Sequence, residues 1–323
     1  MIEKFTLDNG LRVMVEDIPY VRSVTAGVWV ETGSRNETEE NNGISHYLEH
    51  MAFKGTQRRS AEDIAKDMDK IGGQINAFTA KECTCYHAKV LDCHMEEALE
   101  VLSDIYRNAA FRPEDVETER GIIQEEINMN EDSPEDLCID CLHEAMWKGS
   151  TLAYPILGTQ ESLERITPDT LRQYRDTHYT PKNTVISVAG RVDKGQLEKM
   201  VEKYFGTMAG ESKPWQKEQP AYTPTYLFKE KEIEQNHLAI AFPGVELLNP
   251  DSYSVSVLSN ILGGAMSSRL FQQVREKRGL AYSIYAFSTY QLEGSIAGNP
   301  AGRYWEQVFY HGWQPAVRNY FYN

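Results

Sequence analysis

Two histidines and one glutamate lie within five consecutive positions of the segment GISHYLEHMAFKGT, residues 43–56. In a helix, residues three and four positions apart share a face, so His46, Glu49 and His50 would point to the same side. Imidazoles at positions i and i+4 can bind one Zn²⁺. The pattern indicates a metal site, and the alternative is an ordinary solvated polar face.

The same segment has an apolar stripe that would turn these three residues away from the core. Residues with the helical offsets 0, 3, 4 and 7 on the apolar side are Ile44, Tyr47, Leu48 and Met51. The two histidines, Glu49 and Phe53 repeat these offsets on the opposite side. A helix of this kind buries its apolar stripe, so we expect the polar residues to converge outside the core.

A catalytic zinc site needs a third protein ligand and one open position for water. Acidic residues of the stretch ETERGIIQEEINMNEDSPED, residues 117–136, are candidates: Glu117, Glu119, Glu125 and Glu126. On a helix, Glu119 and Glu126 differ by only about 20° around the axis, whereas Glu125 lies about 120° from Glu119. Glu126 is therefore a candidate ligand on the same face as Glu119, although acidic residues also crowd many solvated helices.

The composition is that of a globular protein, with 41% hydrophobic and 25% charged residues and a formal net charge of −15. Because nucleic-acid affinity comes mostly from Lys and Arg neutralising phosphates, nucleic acid is not an expected partner. An acidic cavity that favours basic peptides and plain solubility are both compatible with this charge.

Residues 1–19 lack the apolar run of a signal peptide, and no later segment reaches the length of a membrane span. We expect no membrane association and a cytoplasmic location.

The chain contains five cysteines, an odd number that fits reduced thiols better than a disulfide framework. The spacings Cys83-x-Cys85 and Cys138-x-x-Cys141 leave one alternative open, a zinc site of four thiolates formed by the two pairs.

Strand pairs followed by runs of helices predict an α+β fold rather than a Rossmann sheet. The predicted strands are residues 11–16, 23–32, 74–80, 84–91, 184–189 and 237–242. The first predicted helices are the one with the two histidines and one from Ser60 with Asp63 in its cap. Further helices are predicted at about residues 95–108, 113–130, 134–147, 252–262 and 267–278. Two more are predicted from one end only: one begins at residue 168, and another ends at residue 205.

The length of 323 residues predicts two domains. We expect them to be similar, each an antiparallel sheet with helices packed on one face. Residues 1–208 form the predicted zinc-binding catalytic domain, residues 209–224 the linker, and residues 225–323 the second domain. The linker is predicted from its Pro, Gly and charged residues. Only the first half contains H-x-x-E-H, so only that half is expected to hold a metal.

Three further segments accompany the H-x-x-E-H motif: MAFKGT directly after it, IGGQINAFTAKECTCYHAKVL, and E-R-x-I-I-x-E-E-I about 70 residues later. Together they resemble the pitrilysin superfamily of H-x-x-E-H zinc metallopeptidases, the inverzincins, and in particular bacterial homologues of the mitochondrial processing peptidase β subunit. The resemblance covers residues 3 to about 290.

This resemblance implies a zinc-dependent endopeptidase that hydrolyses peptide bonds in unfolded or extended peptides. His46, His50 and Glu126 would bind one zinc ion per chain, Glu49 would activate the attacking water, and Glu119 would support the site from behind the ligands. The rival interpretation is a non-catalytic scaffold or partner subunit, as in the respiratory-complex core proteins that share the fold.

The resemblance also assigns substrate-binding residues. Asn76, Ala77 and Phe78 would lie on an edge strand to which a peptide adds its own backbone, although an ordinary strand is the alternative. Arg275 and Tyr282 match residues placed over the substrate and the developing oxyanion. Because family members enclose the site between two half-molecules, a homodimer or a heterodimer with a related chain is implied. The tail after about Gly294 departs from the family pattern, so we expect an incomplete second domain.

Overall fold

The structure of the protein is a computed structural model that describes residues 1–211, 224–242, 244–245 and 248–289, and the backbone of 306–313. It divides into two compact units. Unit 1 comprises Met1–Ile127 and Pro155–Trp215, and unit 2 comprises Asn128–Tyr154 and Gln216–Asn323. This division groups residues 128–154 with the C-terminal part, whereas the sequence-based limits assigned them to residues 1–208. Most of the predicted linker lies outside the described residues, as does the tail after Gly294 apart from the backbone of 306–313, and the predicted domain limits stay a prediction.

Unit 1 contains a six-stranded sheet with the strand order β1-β2-β6-β3-β5-β4. Its strands are β1 (Glu3–Thr6), β2 (Arg12–Asp17), β3 (Ser23–Val30), β4 (Gln74–Thr79), β5 (Thr84–Leu91) and β6 (Thr184–Gly190). All neighbouring pairs are antiparallel except β2 and β6, which are parallel. The expected α+β architecture is confirmed, and the expectation of a purely antiparallel sheet is wrong at this pair. Parallel strands need a long crossover, and the chain between β2 and β6 provides one.

One face of this sheet carries the core. Along the central strand β3, Val24, Ala26, Val28 and Val30 are buried, whereas Thr25 and Trp29 on the other face are exposed. This alternation is typical of a sheet that packs its helices on one side only.

The helices of the first 211 residues follow the predicted pattern closely. They are α1 (Ile44–Ala52), α2 (Ala61–Lys70), α3 (Met95–Asn108), α4 (Pro113–Asp132), α5 (Pro134–Met146), α6 (Gln160–Arg165), α7 (Pro168–His178) and α8 (Lys194–Phe205). The predicted cap of α2 is confirmed, because Ser60 accepts a hydrogen bond from the Asp63 backbone N–H. The short elements β1 and α6 were not predicted. Helix α1 contacts β4 and β5, and α3 contacts β3 and β5.

In unit 2, a three-stranded antiparallel sheet has the order β7-β9-β8. Its strands are β7 (Asn236–Ile240), β8 (Ala281–Thr289) and β9 (Glu306–Trp313), and helix α9 (Ser252–Ser259) follows β7 in the chain. The two helices predicted here are only partly regular, since π-helical turns cover Asn260–Gly264 and Phe271–Glu276. In the part of the chain that the structure describes, no helix is long and apolar enough to span a membrane.

Candidate metal centre

Helix α1 is oriented by its apolar side, as the sequence predicts. Its four apolar stripe residues, Ile44, Tyr47, Leu48 and Met51, are at most 2% exposed. The His46 and His50 side chains are 13% and 18% exposed and lie at the partly accessible side of the helix. The core therefore fixes the direction in which the two imidazoles point.

Glu126 of helix α4 faces the two imidazoles. One of its carboxylate oxygens, Oε2, lies 3.8 Å from His46 Nε2 and 3.6 Å from His50 Nε2. The two imidazole rings meet edge to face, with their centroids 4.6 Å apart. One ligand atom from each residue can be chosen so that all three lie within 4.8 Å of one another, and no other group of three His, Cys, Asp or Glu residues of this kind occurs among the described residues.

His50 is held from behind by Glu119, also on α4. His50 Nδ1 lies 3.0 Å from Glu119 Oε2, and this carboxylate is only 2% exposed. Because a carboxylate accepts hydrogen bonds, the hydrogen of the His50 ring is assigned to Nδ1. The Nε2 lone pair of His50 is then directed towards Glu126. Lys54 forms an ion pair with the other Glu119 oxygen. This lysine was missed by sequence reasoning, although it lies in the MAFKGT segment that was singled out.

His46 is also suited to bind a cation. Burial, and secondarily the positive charge of a protonated His50, lowers the pKa of His46 to about 3, so that its imidazole is neutral near pH 7. Its Nδ1 atom is buried without a hydrogen-bond partner in the described structure. Two imidazole nitrogens and one carboxylate oxygen are a donor set typical of catalytic zinc sites, so the residues present fit a zinc ion.

Glu49 lies between the two histidines in the chain and makes a separate contact. Its Oε2 atom accepts a 2.5 Å hydrogen bond from Thr79 Oγ1, at the end of β4. Burial raises the Glu49 pKa above its usual value, and the Thr79 hydrogen bond lowers it in part. A carboxylate with a raised pKa is a better proton acceptor than an exposed one. Thr79 was not among the predicted site residues, although it ends the NAFT segment.

The orientation predicted for α4 is confirmed. Glu119 is buried, Glu126 is partly exposed towards the histidines, and Glu125 is exposed. The exposure of these three side chains thus follows the helical periodicity that the sequence predicts.

Strand β4 carries the predicted substrate-binding residues and lies at the end of the sheet order. Asn76 is exposed, Ala77 is buried and Phe78 is 42% exposed. The Phe78 ring contacts Trp29 edge to face, with a centroid distance of 5.6 Å. Among the described strands β4 lies at the edge of the sheet, as predicted, whereas substrate binding stays a prediction.

Arg275 and Tyr282 belong to unit 2. The Arg275 guanidinium carbon lies 5.3 Å from the centre of the Tyr282 ring, and this tyrosine is 80% exposed. The structure brings the two residues together, and their role at the metal centre stays a prediction.

The alternative four-thiolate zinc site would need cysteines of both units, because Cys83 and Cys85 belong to unit 1 and Cys138 and Cys141 to unit 2. All four are free of disulfide bonds, and this alternative stays a prediction.

Comparisons with known families divide the chain in two. Residues 12–160 match insulinase (peptidase family M16), and residues 165–298 match the peptidase M16 inactive domain. The first match contains the three candidate ligands. The second covers the half in which the sequence has no H-x-x-E-H motif.

Relatives and solved structures agree with this assignment. An uncharacterized zinc protease of Bacillus subtilis, YmxG, is 49% identical over 92% of this chain and 72% of its own length. A protease from Helicobacter pylori of known crystal structure superimposes with a TM-score of 0.85 at 21% identity, covering 98% of this chain and 76% of that one. A chain of complex III2 from Candida albicans superimposes with a TM-score of 0.79 at 20% identity, covering 97% of this chain and 72% of that one. The resemblance in the sequence is thereby confirmed, and the chain belongs to peptidase family M16.

Proposed function

We propose that this protein is a zinc-dependent endopeptidase that cleaves extended or unfolded peptides, with one zinc ion per chain. The observation that carries the proposal is the convergence of His46, His50 and Glu126 within 4.8 Å, with the Glu49 carboxylate on the same helix. The zinc proteases among the relatives support the choice of metal and of reaction class.

The chemistry divides among the residues in a simple way. A Zn²⁺ ion bound by the three donors would supply Lewis-acid chemistry, polarising a peptide carbonyl and lowering the pKa of a water molecule. Glu49 accepts the proton of the attacking water and returns it to the leaving amine. Glu119 acts through His50, whose tautomer and ring orientation its hydrogen bond fixes.

Strand β4 offers a binding mode for the substrate. An unpaired strand edge accepts main-chain hydrogen bonds from almost any extended peptide, which gives affinity with little demand on sequence. Asn76, Ala77 and Phe78 would contact the peptide there. Arg275 and Tyr282 would complete the site from a partner chain, in a homodimer or a heterodimer with a related chain. The absence of nucleic acid among its partners and a cytoplasmic location stay predictions.

A non-catalytic scaffold of the same fold is the second candidate. The similarity to a chain of complex III2 favours it, but this similarity concerns the fold alone. The complete set of His46, Glu49, His50 and Glu126 argues against it, because a scaffold has no need of the proton acceptor or the metal ligands.

The two candidates differ in two measurable properties. Bound metal and hydrolysis of a mixed pool of unfolded peptides should both be present in the wild-type protein. The Glu49→Gln variant should keep its zinc and lose hydrolysis, since it retains the ligands but not the proton acceptor. Zinc binding without hydrolysis would favour the scaffold, and failure to bind zinc would refute the metal centre. Wild-type cleavage rates in Glu49→Gln would exclude Glu49 as the base.

A further inference from the structure

Helix α1 begins at a residue that has no side chain with which to cap it. Its N-cap is Gly43, which has no side chain and adopts the left-handed conformation with φ 93°. A Cβ atom at this position would approach the Leu157 carbonyl oxygen to 2.7 Å and Gly158 Cα to 2.9 Å. Other helices in unit 1 use side-chain caps, namely Ser60, Thr159, Thr167 and Asp193. The free N–H groups at the start of α1 therefore need an acceptor from another segment.

Glu37 supplies that acceptor, although it lies six positions before the N-cap. Its Oε2 atom accepts from the Gly43 backbone N–H at 2.7 Å, and its Oε1 atom accepts from the Ser45 backbone N–H at 2.9 Å. Asn42 Nδ2 also donates to Oε2 at 2.8 Å. Glu37 is only 3% exposed. A carboxylate is well suited to this place, because its charge interacts favourably with the helix dipole and its hydrogen bonds are charge-assisted.

The residues that Glu37 binds are themselves tied to more distant segments. Asn42 Nδ2 donates to the Pro155 carbonyl at 2.9 Å, and the Asn42 carbonyl accepts from Ser162 Oγ at 2.7 Å. Ser45 Oγ lies 3.1 Å from the Tyr174 hydroxyl on α7. The start of α1 is thus fixed against several elements of unit 1, with the Glu37 carboxylate at the centre of the hydrogen bonds.

We infer that Glu37 is a positioning residue for the metal centre, an inference that rests on the proposed zinc function. The N–H group of Ser45 that it holds belongs to the residue directly before His46, and His50 follows one turn later on the same helix. Metal ligands must be held to within roughly 0.5 Å of their working geometry by the residues that support them. Glu37 sets this geometry through the backbone of α1 and contacts neither imidazole.

The Glu37→Gln variant tests this role. Glutamine keeps the length of the side chain, but its amide nitrogen would face N–H donors and could not accept from them. We expect zinc affinity, measured by competition with a chelator, to fall on the order of 10-fold. The visible absorption of the Co²⁺-loaded protein, which reports coordination geometry, should also change. The matched control is Asp193→Ala, which removes the side-chain cap of α8, a helix with no site residue. It should leave both measurements unchanged.

Several results would overturn the inference. One is a folded Glu37→Gln protein with wild-type zinc affinity and Co²⁺ spectrum, and another is an equal loss in Asp193→Ala, which would reflect general stability. If circular dichroism shows that Glu37→Gln does not fold, Asn42→Ala removes one of the three hydrogen bonds and should change both measurements in the same direction; unchanged values would overturn the inference. A wild-type protein that binds no zinc would refute the proposed function as well, whereas the other outcomes leave that function intact.

Discussion

Replacing Glu119 by glutamine should weaken zinc binding, although the three proposed ligands stay in place. The Glu119 carboxylate is 2% exposed and lies 3.0 Å from His50 Nδ1. Glutamine can still accept one hydrogen bond, but it lacks the negative charge of the carboxylate. That charge favours the Nδ1–H tautomer of His50 and makes its Nε2 atom a stronger metal ligand. Because this hydrogen bond already forms without a metal, only its effect on the orientation and basicity of His50 enters the zinc dissociation constant, and losing such a partner typically costs roughly 10- to 100-fold in metal affinity.

The measurement is a chelator competition that gives the zinc dissociation constant of each variant. Glu125→Gln is the matched control, because it makes the same chemical change on the same helix at an exposed position. It should bind zinc as the wild type does. Thermal unfolding of the zinc-free proteins verifies that Glu119→Gln is folded at the assay temperature. An unchanged dissociation constant in folded Glu119→Gln would show that the His50 contact does not support the ligand.

Three more predictions concern the same centre. Glu126→Gln should weaken zinc binding far more than Glu125→Gln in a chelator competition, and the reverse order would mean that the register of α4 is wrong by one residue. Removing zinc should lower the unfolding temperature, since zinc at 100 times its dissociation constant adds about 2.7 kcal/mol of stability; His46→Ala should show no such shift in the same thermal scan. Mixing Glu49→Gln chains with Tyr282→Phe chains should restore peptide hydrolysis if two chains share each site, and inactive heterodimers verified by mass would contradict sharing.

Local periodicity made much of the metal centre predictable. The burial of Met51 and the exposure of Glu125 both follow from the 3.6-residue repeat of a helix, which depends only on nearby residues. The capping box at Ser60 is local in the same sense, because its donor and acceptor are three positions apart. Features of this kind could be read from the sequence without knowing how the elements pack.

Contacts between distant segments were not predictable in this way. Lys54 meets Glu119 and Thr79 meets Glu49 only because separate elements pack together, and no spacing in the sequence encodes either pair. The parallel pairing of β2 and β6 joins two strands that are far apart in the sequence. Glu37 escaped notice for a related reason, since a capping box joins residues three positions apart and this carboxylate reaches its helix across a loop.

The placement of the ligands does not depend on the metal alone, because the two helices that carry them pack through the core. Tyr47 of α1 is fully buried and its hydroxyl donates a hydrogen bond to the Val116 carbonyl of α4. Ile123 and Ile127 of α4 belong to the same buried cluster as Tyr47. Apolar burial on this scale stabilises the helix pair with or without a bound ion. Zinc is therefore expected to add its binding free energy to a unit that is already folded, in contrast to zinc fingers, in which the metal is required for folding.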